Sequence, residues 1–189
     1  MRGVPRHILL ITGDAGESFE CLYARQRFLE AGLTPLIAAP SVRRLNLVIH
    51  DFEPGWDTYV ERPGYGAASD LSFDQVQVES YDAVLVLGGR APEYLRHDAR
   101  VLDIVRRFHS QGRWVWAICH GVQVLAAAGV IQDRRVTAYA HCRWEIEAAG
   151  ATYVSSEQAV RDGRIVTGQT WESHPEFYRE VFACLADGS

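Results

Sequence analysis

The sequence predicts an α/β fold, with a mostly parallel sheet covered on both faces by helices. Three observations carry that prediction. Short apolar runs recur along the chain, each of strand length and closed by turn residues. Between them lie stretches whose apolar residues return with helical spacing. The 189 residues, 48% of them hydrophobic, suffice for one compact domain, 1–189, with a sizeable core.

The elements follow in order. "HILLIT" (7–12) is a buried strand ending in Gly-Asp. "ESFECLYARQRFLEAG" (17–32) is a helix with a stripe of Phe19, Leu22, Tyr23, Phe28 and Leu29, and Gly32 ends it. "TPLIAAP" (34–40) is a second strand. Residues 41–80 are rich in Gly, Pro, Asp and aromatics without a helical period, which predicts a loop with short strands, a hairpin or a lid. "YDAVLVLGG" (81–89) is a buried strand closed by a glycine pair. "DARVLDIVRRFHSQG" (98–112) is an amphipathic helix with Val101, Ile104, Val105 and Phe108 on one face. "RWVWAI" (113–118) is a strand, and a helix follows Gly121. "HCRWEIEAAG" (141–150) is a short helix. "QAVRDGRIVTG" (158–168) is a hairpin turning at Asp162-Gly163. "HPEFYREVFACLA" (174–186) is the last helix.

Composition narrows the function classes. The formal net charge is −5, and the basic residues are scattered, the longest pieces being pairs such as Arg43-Arg44. No broad nucleic-acid or membrane footprint is expected. The four cysteines, at 21, 119, 142 and 184, form no CxxC pair. That gives a zinc ribbon or thioredoxin-like site no support, and the wide spread predicts thiols in a reducing compartment. The apolar run in residues 1–18 is too short for a signal peptide or a membrane span, so a cytoplasmic location is expected.

In parallel sheets, sites form at the carboxyl ends of strands. Three strand ends carry chemistry here: Gly13 to Glu20, Gly88 to Glu93, and Cys119-His120. Cys119, at a strand-to-helix turn, is the candidate nucleophile: free backbone N–H groups and the helix dipole favour thiolate there. The alternative is an inert core cysteine. Glu20, at the start of the first helix, can sit beside it as acid or base, with a pKa raised by a neighbouring thiolate. Asp14 and Glu17 compete for that role, and spacing does not rank Glu20 above Glu17; their structural alternative is helix capping. The glycine pair at 88–89 and the His120 N–H can together stabilise an oxyanion.

The motifs "GDAGESFECLY", "LGGRAPEYLR" and "AICHG", in that order, resemble the ThiJ/PfpI family over roughly residues 7 to 185. "IHDFEPGWDTYVERPGY" (49–65) and "TGQTWESHPEF" (167–177) are similar to the branch with PfpI-type intracellular proteases and glyoxalase III-type enzymes. The resemblance implies a flavodoxin-like three-layer sandwich and a cysteine nucleophile on a strained turn. It places the nucleophile on Cys119, its adjacent histidine on His120, the acid on Glu20 and the oxyanion glycine on Gly89. It also implies a homo-oligomer, a dimer or hexamer, in which Glu93 reaches His120 across a subunit interface. Departures from the family pattern fall at Ser18, Leu87, Ala140, His141 and Cys142, so Tyr139 to Cys142 bear on the pocket.

Other residues carry weaker expectations. Glu17, His50, Tyr139 and His174 are pocket candidates, against loop ordering for His50 and capping of the last helix for His174. His141-Cys142 lacks the further ligands a metal needs, so no metal or other cofactor is expected. Cys21 and Cys184 are expected in the core, and Trp114 and Trp116 on one sheet face, in core or interface. The preferred activity is a glutathione-independent glyoxalase or deglycase acting on methylglyoxal-like 2-oxoaldehydes. The alternatives are a cysteine peptidase or amidase with a peptide partner, and an oxidative-stress sensor or chaperone using the same sulfur.

Overall fold

A computed structural model of the protein describes residues 7–187. Residues 1–6, part of the stretch weighed above as a leader, lie outside that range. Along the chain the elements are β1 (His7–Ile11), α1 (Ser18–Glu30), β2 (Thr34–Ala39), β3 (Arg44–Leu45), β4 (Val48–Asp51), β5 (Val60–Pro63), β6 (Ala67–Ala68), β7 (Leu71–Ser72) and β8 (Ala83–Val86). Then come α2 (Ala91–Leu95), α3 (Ala99–Ser110), β9 (Trp114–Ile118), α4 (Val122–Ala128), β10 (Arg135–Val136), α5 (Arg143–Ala148), β11 (Thr152–Tyr153), β12 (Ala159–Asp162), β13 (Ile165–Gly168) and α6 (His174–Asp187).

Seven strands form the main sheet in the order β12-β13-β9-β8-β1-β2-β7. Every neighbouring pair is parallel except β12 with β13. The five central strands, counted in chain order, lie 2-1-3-4-5, the flavodoxin-like arrangement. The chain leaves β1 toward β2 on one side and leaves β8 toward β9 on the other. The ends of β1 and β8 therefore border a crevice where the winding reverses, the usual ligand position in such sheets.

Burial explains the sequence runs. Ile8–Ile11, Ala83–Val86 and Trp114–Ile118 are all buried, because helices cover both faces and leave no solvent side to alternate with. The α3 face of Val101, Ile104, Val105 and Phe108 is buried as predicted. Asp98 caps α3 by accepting the Arg100 N–H at 3.0 Å. Trp116 is fully buried and stacks on Phe28, with ring centroids 6.1 Å apart. Trp114 lies under the Arg164 guanidinium at 4.4 Å.

Several expectations need correction. The α1 stripe is wrong at two positions: Phe19 is 48% and Leu29 53% exposed. The buried face is Ser18, Glu20, Cys21, Ala24 and Phe28, because α1 lies close over the sheet and presents small residues and one carboxyl to it. The hairpin near 160 turns one residue later than predicted: Asp162 still pairs with Ile165, and Gly163 holds the turn at φ +59°. Residues 140–142 form a 3-10 turn ahead of α5. The 41–80 stretch does contain a hairpin, β4 with β5, and β7 adds to the sheet edge. Among the described residues no helix is long and apolar enough to cross a membrane. Cys21 and Cys184 are fully buried.

Candidate active site

The three strand ends flagged in the sequence meet at the crevice beside β1 and β8. Cys119 follows β9 directly and adopts φ +56°, a left-handed conformation that costs a cysteine about 1–2 kcal/mol. Its surroundings enforce that geometry. A Cβ on Gly121 would lie 2.3 Å from the Val86 carbonyl oxygen, so only glycine lets the turn pack against β8. A Cβ on Gly88 would lie 2.6 Å from Cys119 Cβ and 2.7 Å from Glu20 Oε2. That glycine leaves open the space in which the thiol and the carboxyl face each other.

Glu20 is fully buried although it sits in the first turn of α1. Its Oε2 accepts the Gly88 N–H at 2.6 Å, and its Oε1 has no hydrogen-bond partner among the described residues. Desolvation, and then the charge of Glu17, push its carboxyl well above the usual carboxylate range, against the pull of the Gly88 N–H. Glu17 takes the capping role: its Oε2 accepts the Glu20 N–H at 2.6 Å. Burial pushes Glu17 up to about 7, opposed by the N–H groups of Glu20, His50 and Phe19. Asp14 instead pairs with Arg43 at 2.7 Å on the surface.

Cys119 is 4% exposed, and that burial opposes the thiolate expected at the strand-to-helix turn. Burial pushes its thiol well up, and the Glu20 charge adds to the push. The N–H groups of His120 and Gly89 engage the sulfur and work the other way. Two acids facing each other in one dry space cannot both be ionised, so the pair retains a proton. The two N–H groups are the ones the sequence nominated for an oxyanion. Gly89 is held at φ +79°, and a Cβ there would lie 2.3 Å from the Glu17 nitrogen.

His120 is buried with Nδ1 3.3 Å from Cys119 Sγ. Desolvation, then His50, His141 and Arg96, push it down to about 4, so the imidazole is neutral near pH 7. Its ring is boxed by Tyr139 at 4.9 Å, Tyr59 at 5.7 Å and His50 at 6.3 Å between centroids. His50 is itself fixed: it stacks on Tyr59 at 3.8 Å, and its Nε2 lies 2.8 Å from Glu61 Oε2. Arg90 grips Glu61 with Nε at 2.6 Å and Nη2 at 2.9 Å, and that fork above all holds the Glu61 carboxyl down at about 2. Tyr59, Glu61 and Arg90 escaped the sequence reading. Their signal was the spacing of His50 and Glu61 across a hairpin, visible only once register is known.

The remaining candidates scatter. Glu93 is exposed in the first turn of α2, and among the described residues no hydrogen bond joins it to His120. His174 opens α6 and is buried, but its ring neighbours are Tyr23, Phe19 and Tyr178. His141 lies at the rim, with Nε2 3.3 Å from the Asp57 carbonyl. Cys142 is buried, and burial pushes its thiol up to about 12. Among the described residues no group of three or more His, Cys, Asp or Glu side chains is placed to hold a metal ion.

A parallel sheet with a strained, buried cysteine at its switch point agrees with what whole-chain comparison shows: the chain belongs to the DJ-1/PfpI family, whose model matches residues 6–183. Among its relatives is protein DJ-1 homolog D of Arabidopsis thaliana, 39% identical over 189 residues. That match covers 97% of this chain and 48% of the plant protein, so the chain spans about half of that relative's length. A deglycase of Pyrococcus horikoshii is 35% identical over 162 residues, covering 86% of this chain and 89% of its own. The crystal structure of a ThiJ/PfpI domain protein from Brachyspira murdochii superposes with a TM-score of 0.83 at 21% identity, covering 96% of each chain. That likeness is one of fold.

Proposed function

We propose that this chain is a cysteine-dependent enzyme that converts methylglyoxal-like 2-oxoaldehydes to hydroxy acids without glutathione, a glyoxalase III or deglycase-type activity. One observation carries the reading: the Cys119 thiol and the Glu20 carboxyl face each other across the space that Gly88 leaves open, and burial favours the protonated form of each. Relatives named as deglycases support it.

The chemistry balances on these residues. The Cys119 sulfur bonds to the aldehyde carbon, and the carbonyl oxygen takes the proton that the pair held, giving a hemithioacetal. The N–H groups of Gly89 and His120 stabilise the developing oxyanion. Glu20, now a carboxylate, lifts the hydrogen from that carbon and returns it to the neighbouring ketone carbon through an enediol. The hydroxyl proton passes between the two oxygens. The first carbon is oxidised to a thioester and the second reduced to an alcohol, so no external oxidant or reductant is needed. Neutral His120 then takes a proton from water, the hydroxide displaces the sulfur, the imidazolium returns that proton to the Cys119–Glu20 pair, and the hydroxy acid leaves.

The test is lactate release from methylglyoxal by purified protein, with Cys119→Ala and Glu20→Gln as controls. Lactate that falls by about 100-fold or more in each variant is expected. No lactate from protein whose Cys119 thiol is intact by titration would sink the proposal.

A second reading rests on the 3.3 Å contact between Cys119 Sγ and His120 Nδ1. With Glu93 of a neighbouring copy orienting His120, the same pair can serve a cysteine peptidase or amidase. Peptide hydrolysis lost in Cys119→Ala, by a protein that is oligomeric at working concentration, would favour it.

A further inference from the structure

Beyond His120, the tip of the β4–β5 hairpin arches over the body of the protein. Gly55, at φ +84°, makes the turn, and the Trp56 N–H donates to the Glu53 carbonyl at 3.3 Å. The tip is fastened by a 3.0 Å hydrogen bond between Thr58 Oγ1 and the Tyr139 hydroxyl, and by His141 against the Asp57 carbonyl. Between the tip and the body lies a cavity of about 210 Å³, lined by Phe52, Glu53, Trp56, Asp57, Tyr139 and His141 among others.

The lining of this cavity is aromatic and acidic, with the His141 imidazole at its rim. Phe52 is 40% and Trp56 59% exposed, so two large aromatic side chains stand open to an incoming group. Tyr139 supplies a third ring and also packs against His120 at 4.9 Å. The cavity is therefore one ring away from the histidine that touches the reacting sulfur. Its acidic side chains are Glu53, gripped by Arg62, and Asp57, whose exposed carboxylate is paired with no described residue. Aromatic faces attract cations through the ring quadrupole, and an unpaired carboxylate adds a charged acceptor. A free three-carbon aldehyde carries nothing to fill it.

From this geometry we infer that the cavity under the hairpin tip is a subsite for an ammonium or guanidinium group, borne by a substrate whose carbonyl reaches Cys119. This subsite rests on the aldehyde reading for its link to turnover, but its existence is tested by binding alone.

The experiment uses the full chain with Cys119→Ser, so that no covalent adduct forms, and titrates it with Nα-acetylarginine amide against its neutral isostere, Nα-acetylcitrulline amide. The charged probe should bind about tenfold more tightly and should quench Trp56 emission. Adding Trp56→Ala or Asp57→Asn should each reduce that preference to about threefold or less. Both side chains are exposed, so the fold should survive, and the comparison of the two probes on the Cys119→Ser chain needs no subsite variant. Equal binding of the two probes, or a preference that persists in both variants, overturns the subsite. Lactate formation is measured separately on the unmodified chain. Its absence overturns the aldehyde chemistry while the charged-probe preference still decides the subsite.

Discussion

His120 and His174 make an instructive pair. Both are buried, at 6% and 4% exposure, and desolvation pushes each down to about 4. By burial and titration alone they are equivalent. Their neighbours separate them. His120 touches a sulfur, follows a residue held at φ +56° and lies among Tyr59, Tyr139 and a His50 tied to Glu61 and Arg90. His174 stacks on Tyr23 at 4.6 Å, and neither ring nitrogen has a hydrogen-bond partner among the described residues. A perturbed pKa marks burial; polar partners and backbone strain mark chemistry.

The sharpest way to break the contrast is Gly88→Ala, which acts on one region and leaves the other untouched. A methyl group 2.6 Å from Cys119 Cβ and 2.7 Å from Glu20 Oε2 drives the sulfur and the carboxyl apart, and with them the pair on which the proposed chemistry rests. Activity should fall at least about 100-fold, with a stability loss of about 1–3 kcal/mol by chemical denaturation. Retained turnover would show that the Glu20–Cys119 spacing is not critical.

Replacing each histidine by phenylalanine comes next. His120→Phe should lower turnover by about 100-fold. His174→Phe should leave turnover within about twofold and stabilise the fold by about 1 kcal/mol, because it removes two buried, unpartnered nitrogens from an aromatic cluster. The pH dependence has a definite sign. Each histidine is lowered from 6.5 to about 4 on folding, so the unfolded chain binds more protons between those values. Stability is full above about pH 6.5 and is lost as pH falls toward 4. Either substitution should flatten that acid limb, read by melting temperature against pH. A His174→Phe variant that loses activity would erase the distinction between the two sites.

The effect most narrowly confined in pH concerns Glu17, which shares the site without facing the sulfur. Burial raises its carboxyl from 4.5 to about 7, so the folded chain holds the extra proton there. That contribution is present below about pH 4.5 and is lost as pH rises through 7. Glu17→Gln should remove a slope of at most about 1.4 kcal/mol per pH unit over that interval. A slope unchanged in the variant would assign the titration elsewhere.

What the sequence disclosed follows from what local pattern can encode. The central strands read as buried runs because every position in them is covered, and α3 read correctly because its apolar face is continuous. Cys119 stood out because a histidine and a glycine interrupt an apolar run. The inner face of α1 misled because it carries Ser18 and Glu20 where periodicity looks for large apolar residues. Gly88 and Gly89 are indistinguishable as a dipeptide. The family resemblance singles out Gly89, and the fold shows why: Gly88 meets the carboxyl and Gly89 the sulfur. The His50–Glu61–Arg90 set joins three separate segments through hairpin register and a surface fork, which no single window of sequence contains.

The left-handed backbone at position 119 has a consequence for how this chain changes over time. Glycine is the residue that conformation suits, and any other side chain there is a standing handicap to folding. Variants propagated for thermal endurance alone would drift toward glycine at that position and lose the sulfur. If the proposed chemistry runs through that sulfur, variants propagated for activity hold the cysteine and collect compensating changes elsewhere in the fold.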